Sequence, residues 1–146
     1  MAMATVQKFE ELEVWQKSRL VENSIFELAS VGKLSKDFDL KNQMNRSSGS
    51  LMDNIAEGFG RGGRNEFIQF LSISRGSGTE LQSQLHRCLD RKYISEEQFS
   101  FSYNQVEEAL KMLTAFINYL SKTTVKGQKF KDRTEVTLNK KPQIPN

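Results

Sequence analysis

Two helical patterns that meet at a glycine-dense turn constrain this chain more than any other feature. They occupy residues 43–85, and the turn between them reads Gly58-Phe59-Gly60-Arg61-Gly62-Gly63. On each side of the turn, apolar or small residues recur at alternating steps of four and three, which brings them onto one face of a helix. The stretch therefore predicts two helices that pack face to face.

Two further helical patterns flank this pair. The first covers residues 9–31, and the last begins at Ser95. Both prolines lie beyond residue 141, so proline interrupts none of the four patterns. Because the connections are short, neighbouring helices should be antiparallel. The sequence predicts an all-α, up-down-up-down four-helix bundle over residues 1–123 and an extended basic tail over residues 124–146.

Residues at the ends of the patterns indicate where the helices begin and end. Gly32 can adopt the left-handed conformation that closes the first helix. Asp37 or Asp39 can cap the second helix, which should stop near Gly58. The third helix should open within residues 63–65, where the glycine-dense turn ends.

The fourth helix opens with Ser95-Glu96-Glu97-Gln98, a capping box in which the serine and glutamine side chains satisfy backbone amides reciprocally. Each helix also carries positions at helical spacing that should face the core. In chain order these are Leu12, Val14, Trp15, Val21, Ile25 and Leu28; Leu40, Met44, Ser47 or Ser48, Leu51 and Ile55; Phe67, Leu71, Ser74, Gly78, Leu81, Leu85 and Cys88; and Phe99, Tyr103, Val106, Leu110, Leu113, Ile117 and Leu120.

The composition bounds the class of protein. At 146 residues the chain is long enough for one domain with a single core. No run approaches the roughly 20 apolar residues of a membrane helix, and the N-terminus lacks the apolar stretch of a secretory signal. The single cysteine, Cys88, cannot form an intrachain disulfide. These features predict a cytoplasmic protein that does not associate with membranes.

The net charge of +3 is unevenly distributed. Residues 124–146 carry six Lys/Arg and two Asp/Glu, whereas the preceding body carries fifteen and sixteen. A basic tail attracts polyanions such as nucleic acid. An ordinary solubilising tail has the same composition, and this second interpretation stays open.

The glycine-dense turn also fits the dinucleotide fingerprint G-x-G-x-x-G. That chemistry requires a preceding strand and a following helix whose N-terminus faces pyrophosphate. A helix precedes the turn here, so we interpret it as a helix–helix connection. A narrower possibility remains, in which the N-terminus of the third helix, with Arg61 and Arg64, holds a phosphate of an RNA backbone.

The chain is poor in groups that carry out catalysis. It has one histidine and one cysteine, His86 and Cys88, whereas a metal site needs three or four converging ligands. Two residues apart on a helix, these side chains do not share a face. The sequence therefore predicts no enzymatic activity, metal, cofactor or small-molecule substrate.

Asn54, Glu57, Gly58 and Arg75 are predicted to be structural. Asn54 and Glu57 lie one turn apart, and the expected arrangement pairs Glu57 with Arg64 or Arg75 and lets Asn54 hydrogen-bond across the bundle. Small residues cluster nearby on both middle helices. A glycine inside a helix lowers helix stability by roughly 1 kcal/mol relative to alanine. Close approach of two backbones, within one bundle or between subunits, would compensate for this loss.

Three segments carry a family resemblance. They are FEELEVWQKS at Phe9–Ser18, FDLKNQMNRSSGSLMDNIAEGFGR at Phe38–Arg61 and NEFIQFLSISRGSGTELQSQL at Asn65–Leu85, within which Asn54-Ile55-Ala56-Glu57-Gly58 and Arg75-Gly76-Ser77 with Glu80 are the most specific pieces. Over residues 8–120 the chain resembles the bacterial four-helix-bundle family encoded within intervening sequences of large-subunit ribosomal RNA genes, whose members are often labelled ribosomal proteins.

The resemblance implies an antiparallel four-helix bundle that assembles into a ring-like homopentamer. The chain is also similar to the accessory protein of diversity-generating retroelements, a pentameric bundle that works with a reverse transcriptase and RNA. Gly49 and Gly78 depart from the family pattern, which has alanine or a larger residue there, so the rigidity of those helices is in question. The resemblance implies RNA as a class of partner and supplies no catalytic residue.

The leading hypothesis is a non-enzymatic, oligomeric bundle that binds structured RNA through backbone phosphates. The alternative hypothesis is a protein–protein scaffold or accessory subunit whose partner handles the nucleic acid, which the near-neutral body favours. Under the first hypothesis, the residues expected to contact phosphate are Arg61, Arg64, Arg87, Arg91, Lys126, Lys129, Lys131 and Arg133.

Overall fold

The computed structural model describes residues 6–125, which form four α-helices and, over that range, no strand. The helices are α1 Glu13–Ala29, α2 Phe38–Arg61, α3 Arg64–Asp90 and α4 Glu96–Val125. Two single-turn 3₁₀ helices, Phe9–Glu11 and Leu34–Lys36, precede α1 and α2. The prediction of an all-α bundle is confirmed, and the tail over residues 126–146 lies outside the described residues.

Each helix packs against the helices before and after it in the chain, and α1 also contacts α4. The α2–α3 pair makes the most extensive contact. Along it, the rings of Phe59 and Phe67 meet beside the turn at 6.0 Å, whereas Cys88 Sγ meets Met44 Sδ at the far end at 3.4 Å. This order of contacts is that of an antiparallel pair, as predicted from the short connection.

The predicted caps of α2 and α4 are confirmed, because Asp37 accepts a hydrogen bond from the Leu40 amide at 3.2 Å and the Ser95 capping box forms in both directions. The end of α1 differs from the prediction: the helix ends at Ala29 with the right-handed Ser30 as its C-cap, and Gly32, with φ +62°, lies in the connection that follows. The prediction that α2 stops near Gly58 is wrong. The helix continues to Arg61 because Gly62, with φ +87°, is the residue that takes the left-handed cap.

The predicted seams of α1, α2 and α3 lie in the core, except that Leu28 on α1 is only partly buried. The seam of α4 is wider than predicted. Phe99, Tyr103 and Leu110 are only partly buried, whereas Ala109 and Phe116 are fully buried. The reason is that α4 packs against α3 on one side and α1 on the other. Its buried face is therefore wider than the single row of residues that alternating steps of four and three describe.

Two glycines let helices approach closely. A Cβ atom at Gly58 would lie 2.6 Å from Phe70 Cβ, and one at Gly78 would lie 2.7 Å from Leu110 Cδ2. Within the bundle, close approach therefore explains glycine at these positions. Gly49 is different, because the nearest atom that a Cβ there would meet is Asp53 Oδ2 at 4.0 Å.

Candidate nucleic-acid interface

The fold places the four arginines of the body that are predicted to contact phosphate at opposite ends of the bundle. Arg61 and Arg64 flank the α2–α3 turn, whereas Arg87 and Arg91 lie at the end of α3. At 1.5 Å per residue, Arg64 and Arg87 are about 35 Å apart along the helix axis. A single chain therefore presents two separate basic pairs.

Arg61 lies on the surface but already has two partners. Its guanidinium donates to Glu57 Oε2 at 2.7 Å, one turn back on α2, and lies 5.1 Å from the centroid of the Phe70 ring. The hydrogen bond to Glu57 raises the pKa of Arg61. Glu57 had been expected to pair with Arg64 or Arg75, and its observed ion pair is instead with Arg61.

Arg64 opens α3, and only 9% of its surface is exposed. Most of its side chain is therefore covered by protein. The N-cap of α3 is Gly63, which has no side chain and therefore supplies no capping hydrogen bond. Of the pair at this end of the bundle, Arg61 has the more exposed side chain.

Arg91 and Arg87 tie the end of α3 to α2. Arg91 donates to Asp37 Oδ2 at 2.7 Å, and the Tyr93 hydroxyl donates to the same oxygen at 2.8 Å. The hydrogen bond from Tyr93, the Leu40 amide and the charge of Arg91 lower the pKa of Asp37. Arg87 donates to Gln43 Oε1 at 3.1 Å. A phosphate that bound either arginine would therefore have to share its guanidinium with these groups of the bundle.

The remaining predicted structural residues lie between these two ends. Asn54 Nδ2 donates to the Ser50 carbonyl oxygen and approaches Ser50 Oγ, both at 2.8 Å. Ser50 Oγ lies 2.7 Å from Ser77 Oγ on α3, so Asn54 reaches across the bundle through a serine and not directly. Arg75 donates to Thr114 Oγ1 at 3.3 Å and links α3 to α4.

A shallow polar groove follows the α2–α3 contact around this serine pair. It encloses about 230 Å³ and is lined by Gln43, Arg46, Ser47, Ser50, Ser77 and Glu80. Arg46 was not predicted to lie on this surface, although its position one turn before Ser50 on α2 indicates it. Arg46 and Glu80 bring opposite charges to the groove, so it does not present a uniformly basic surface.

The four predicted tail contacts, Lys126, Lys129, Lys131 and Arg133, lie outside the described residues. Helix α4 ends at the end of the bundle that holds the α2–α3 turn, since Phe116 contacts Phe67 with ring centroids 5.3 Å apart. Helix α4 therefore ends, at Val125, on the same end of the bundle as Arg61.

The described part of the chain offers little reactive chemistry. Cys88 is fully buried, and burial raises the pKa of its thiol to about 11, which keeps it protonated and unreactive. His86 packs its ring against Phe99 and Tyr103. Among residues 6–125, no three His, Cys, Asp or Glu side chains are grouped as a metal site. No helix in that range combines the length and apolar character needed to cross a bilayer.

The comparison with known families settles the relationship indicated by the sequence. The family model described as 23S rRNA-intervening sequence protein matches residues 10–115, which is most of the bundle. The chain belongs to this family. The residues matched include the α2–α3 turn and both helices around it.

A solved structure supports the same relationship. The crystal structure of a protein with unknown function from the S23 ribosomal protein family of Bacteroides thetaiotaomicron is similar to this fold with a TM-score of 0.65 and 27% sequence identity. The match covers 71% of this chain and 97% of the bacterial protein. No curated protein matches the chain.

Proposed function

We propose that this chain is a non-enzymatic, oligomeric helical-bundle protein that binds structured RNA through backbone phosphates. The single observation that carries the proposal is the match over residues 10–115 to a family named for 23S rRNA intervening sequences. Membership of that family makes ribosomal RNA the first RNA to test. A cytoplasmic location is part of the proposal and agrees with the single, buried thiol of Cys88.

The charge distribution supports the tail as the main contact with RNA. Residues 124–146 carry six basic and two acidic residues, whereas the body is almost neutral. The net positive charge of the chain therefore comes from the tail. Arg61 has a partly exposed side chain at the end of the bundle where α4 ends and is the body residue best placed to assist the tail. Phosphate contacts of this kind provide affinity without sequence readout.

Oligomerisation would gather enough basic residues to hold RNA firmly. Exposed apolar side chains such as Phe26 and Phe38, 57% and 69% exposed, are available for contacts between chains. A ring would repeat each tail and each Arg61 around one axis. We expect light scattering after size exclusion to give about five times the 16.8 kDa mass of one chain, and a monomeric mass at micromolar concentration would contradict this part of the proposal.

Deletion of residues 126–146 tests where RNA binds. The shortened chain retains all four helices, so we expect circular dichroism to report the same helical content while affinity for a 23S rRNA fragment collapses. A matched variant that replaces Lys111, an exposed lysine on α4, with Gln should bind as the unmodified protein does. Undiminished affinity of the shortened chain would contradict the proposed role of the tail.

A second candidate function is that of a scaffold or accessory subunit whose partner handles the nucleic acid. The contacts of the body arginines favour it, because Arg61, Arg87 and Arg91 all donate to groups within the bundle. Under this proposal, removal of the tail leaves partner binding intact. If the full chain binds RNA weakly, and no more tightly than the shortened chain does, the result would favour the scaffold.

A further inference from the structure

A groove with a volume of about 530 Å³ lies between α1 and α4. It lies near the end of α1 and the beginning of α4, at the end of the bundle away from the α2–α3 turn. The α1–α4 contact is the least extensive of the four contacts between adjacent helices, which leaves this groove open along the bundle.

Three apolar side chains, Leu28, Val31 and Phe101, line the groove together with polar residues. Leu28 is partly buried at its base, while Val31 and Phe101 remain 63% and 64% exposed beside it. Exposed apolar side chains that converge on one concavity are typical of a surface that another segment covers. Scattered single residues would require no such explanation.

The rim of the groove is acidic. Glu27 on α1 and Glu97 on α4 flank it from opposite sides, and none of its lining residues is a lysine or arginine. Both carboxylates are exposed. The groove therefore fits an extended segment that presents apolar side chains to its floor and basic side chains to its rims.

We propose that this groove binds residues 131–141 of the same chain, KDRTEVTLNKK. The segment places Val136 and Leu138 two residues apart, so an extended backbone directs both to one face. Lys131 and Arg133 precede this apolar pair, and Lys140 and Lys141 follow it. Asp132 and Glu135 also lie in the segment, so residues 131–141 carry a net charge of +2, opposite in sign to the two carboxylates of the groove.

The length of the chain allows this contact within one molecule. From Val125, the last residue of α4, back to Phe101 is about 36 Å along the helix axis. An extended chain covers about 3.3 Å per residue, so residue 136 reaches that distance from Val125. Val136 and Leu138 therefore reach the level of Phe101 when the tail folds back along α4. Because four of the six basic residues that are proposed to contact RNA lie in this segment, the groove contact is proposed for the chain without RNA, and the experiments below use the chain without RNA.

A photo-crosslink in the full-length chain tests the proposal. The photoreactive residue p-benzoylphenylalanine replaces Phe101, and mass spectrometry identifies the peptide to which it attaches after irradiation. We expect attachment within residues 131–141. The matched control places the same residue at Ile73, an exposed apolar position on α3, where no attachment to the tail is expected.

A mixture of unlabelled and ¹⁵N-labelled chains distinguishes contact within one chain from contact between chains. Crosslinked peptide pairs that carry a single isotope composition support the proposal, whereas mixed pairs assign the groove to the tail of a second copy and overturn it. Attachment only to other parts of the chain, or equal attachment at Ile73, would also overturn it.

A charge swap provides a second test that does not alter Phe101. Glu27→Lys with Glu97→Lys should accelerate tryptic cleavage after Arg133 about fivefold, since two exposed ion pairs are lost. Adding Lys131→Glu and Lys140→Glu to this variant should restore the slower rate. The matched control, Asp53→Lys with Glu66→Lys, changes the same net charge away from the groove and should leave the rate unchanged. Equal acceleration in the control, or no restoration by the swap, would contradict the contact.

Discussion

Glycine has two different roles at the level of single residues in this bundle. At Gly58 and Gly78 the neighbouring helix occupies the space that a Cβ atom would need. At Gly76 there is nothing within 4 Å of such an atom, and the residue is exposed on the middle of α3. The same residue type is thus required for packing at two positions and imposes only a cost in helix propensity at the third.

The substitutions Gly76→Ala and Gly58→Ala should therefore act in opposite directions. Gly76→Ala should raise the free energy of unfolding by about 1 kcal/mol, which is the difference in helix propensity. Gly58→Ala should lower it by about 1–2 kcal/mol, because the rigid Cβ of Phe70 must move to relieve the overlap. Urea denaturation of both variants measures the two values. A stabilising effect at Gly58 would contradict the close approach of α2 and α3.

The pH dependence of Asp37 offers a second test at this scale. Its carboxylate accepts from Tyr93 and Arg91, and its pKa is lowered in the folded protein. A lowered pKa gives stability that is present above the unfolded value of about 3.9 and is lost as the pH falls through the folded value.

The variant Asp37→Asn isolates this charge, since asparagine keeps an oxygen that can cap α2. We expect the variant to be less stable than the unmodified protein at pH 7, with the difference vanishing as the pH drops below the folded pKa. Thermal denaturation between pH 7 and pH 2 measures the difference. A difference that persists unchanged in acid would show that the charge of Asp37 contributes nothing.

At the level of elements, each helix depends on the residues that begin it. The capping box of α4 is formed in full, with Ser95 N donating to Gln98 Oε1 at 2.9 Å and Gln98 N donating to Ser95 Oγ at 3.1 Å. Since α4 contacts both α1 and α3, loosening its first turn affects two helix contacts.

Ser95→Ala should lower the free energy of unfolding by about 1 kcal/mol through loss of the cap. Ser100→Ala, an exposed position one turn further into α4, is the matched control and should be neutral or slightly stabilising. Chemical denaturation of the two variants compares them directly. Equal effects would indicate that the cap is not what orders the start of α4.

Helical periodicity and capping residues were sufficient to predict the elements and their order, because each helix buries one face and is bounded by residues with definite backbone preferences. They did not predict Ala109 and Phe116 as core residues, since the number of neighbours that a helix contacts is a tertiary property. The continuation of α2 to Arg61 was missed because Gly58 and Gly62 look alike in sequence, and only packing separates them.

The candidate site was harder to predict than the fold. The Glu57–Arg61 pair has the i, i+4 spacing that favours an ion pair on one helix, and this signal was available in the sequence. The distance of about 35 Å between the two arginine pairs also follows from helix length alone. The partners of Arg87 and Arg91, by contrast, are Gln43 and Asp37 on another helix, and no local pattern specifies them.

At the scale of the whole molecule, the proposed function depends on a nearly neutral bundle followed by one segment that carries the positive charge. The body supplies packing and surfaces for assembly, and the tail supplies the attraction to a polyanion. If RNA is bound through phosphates, the counterions released from the RNA must make affinity fall steeply with salt.

The most direct measurement is therefore the affinity for a 23S rRNA fragment as a function of salt, for the full chain and for the chain without residues 126–146. If four to six basic residues of the tail contact phosphate, the logarithm of the association constant should fall with a slope of about −3 to −5 per log unit of salt for each bound chain. The shortened chain should have a slope close to zero and weak binding. A flat salt dependence of the full chain, or the same slope for both chains, would contradict the account.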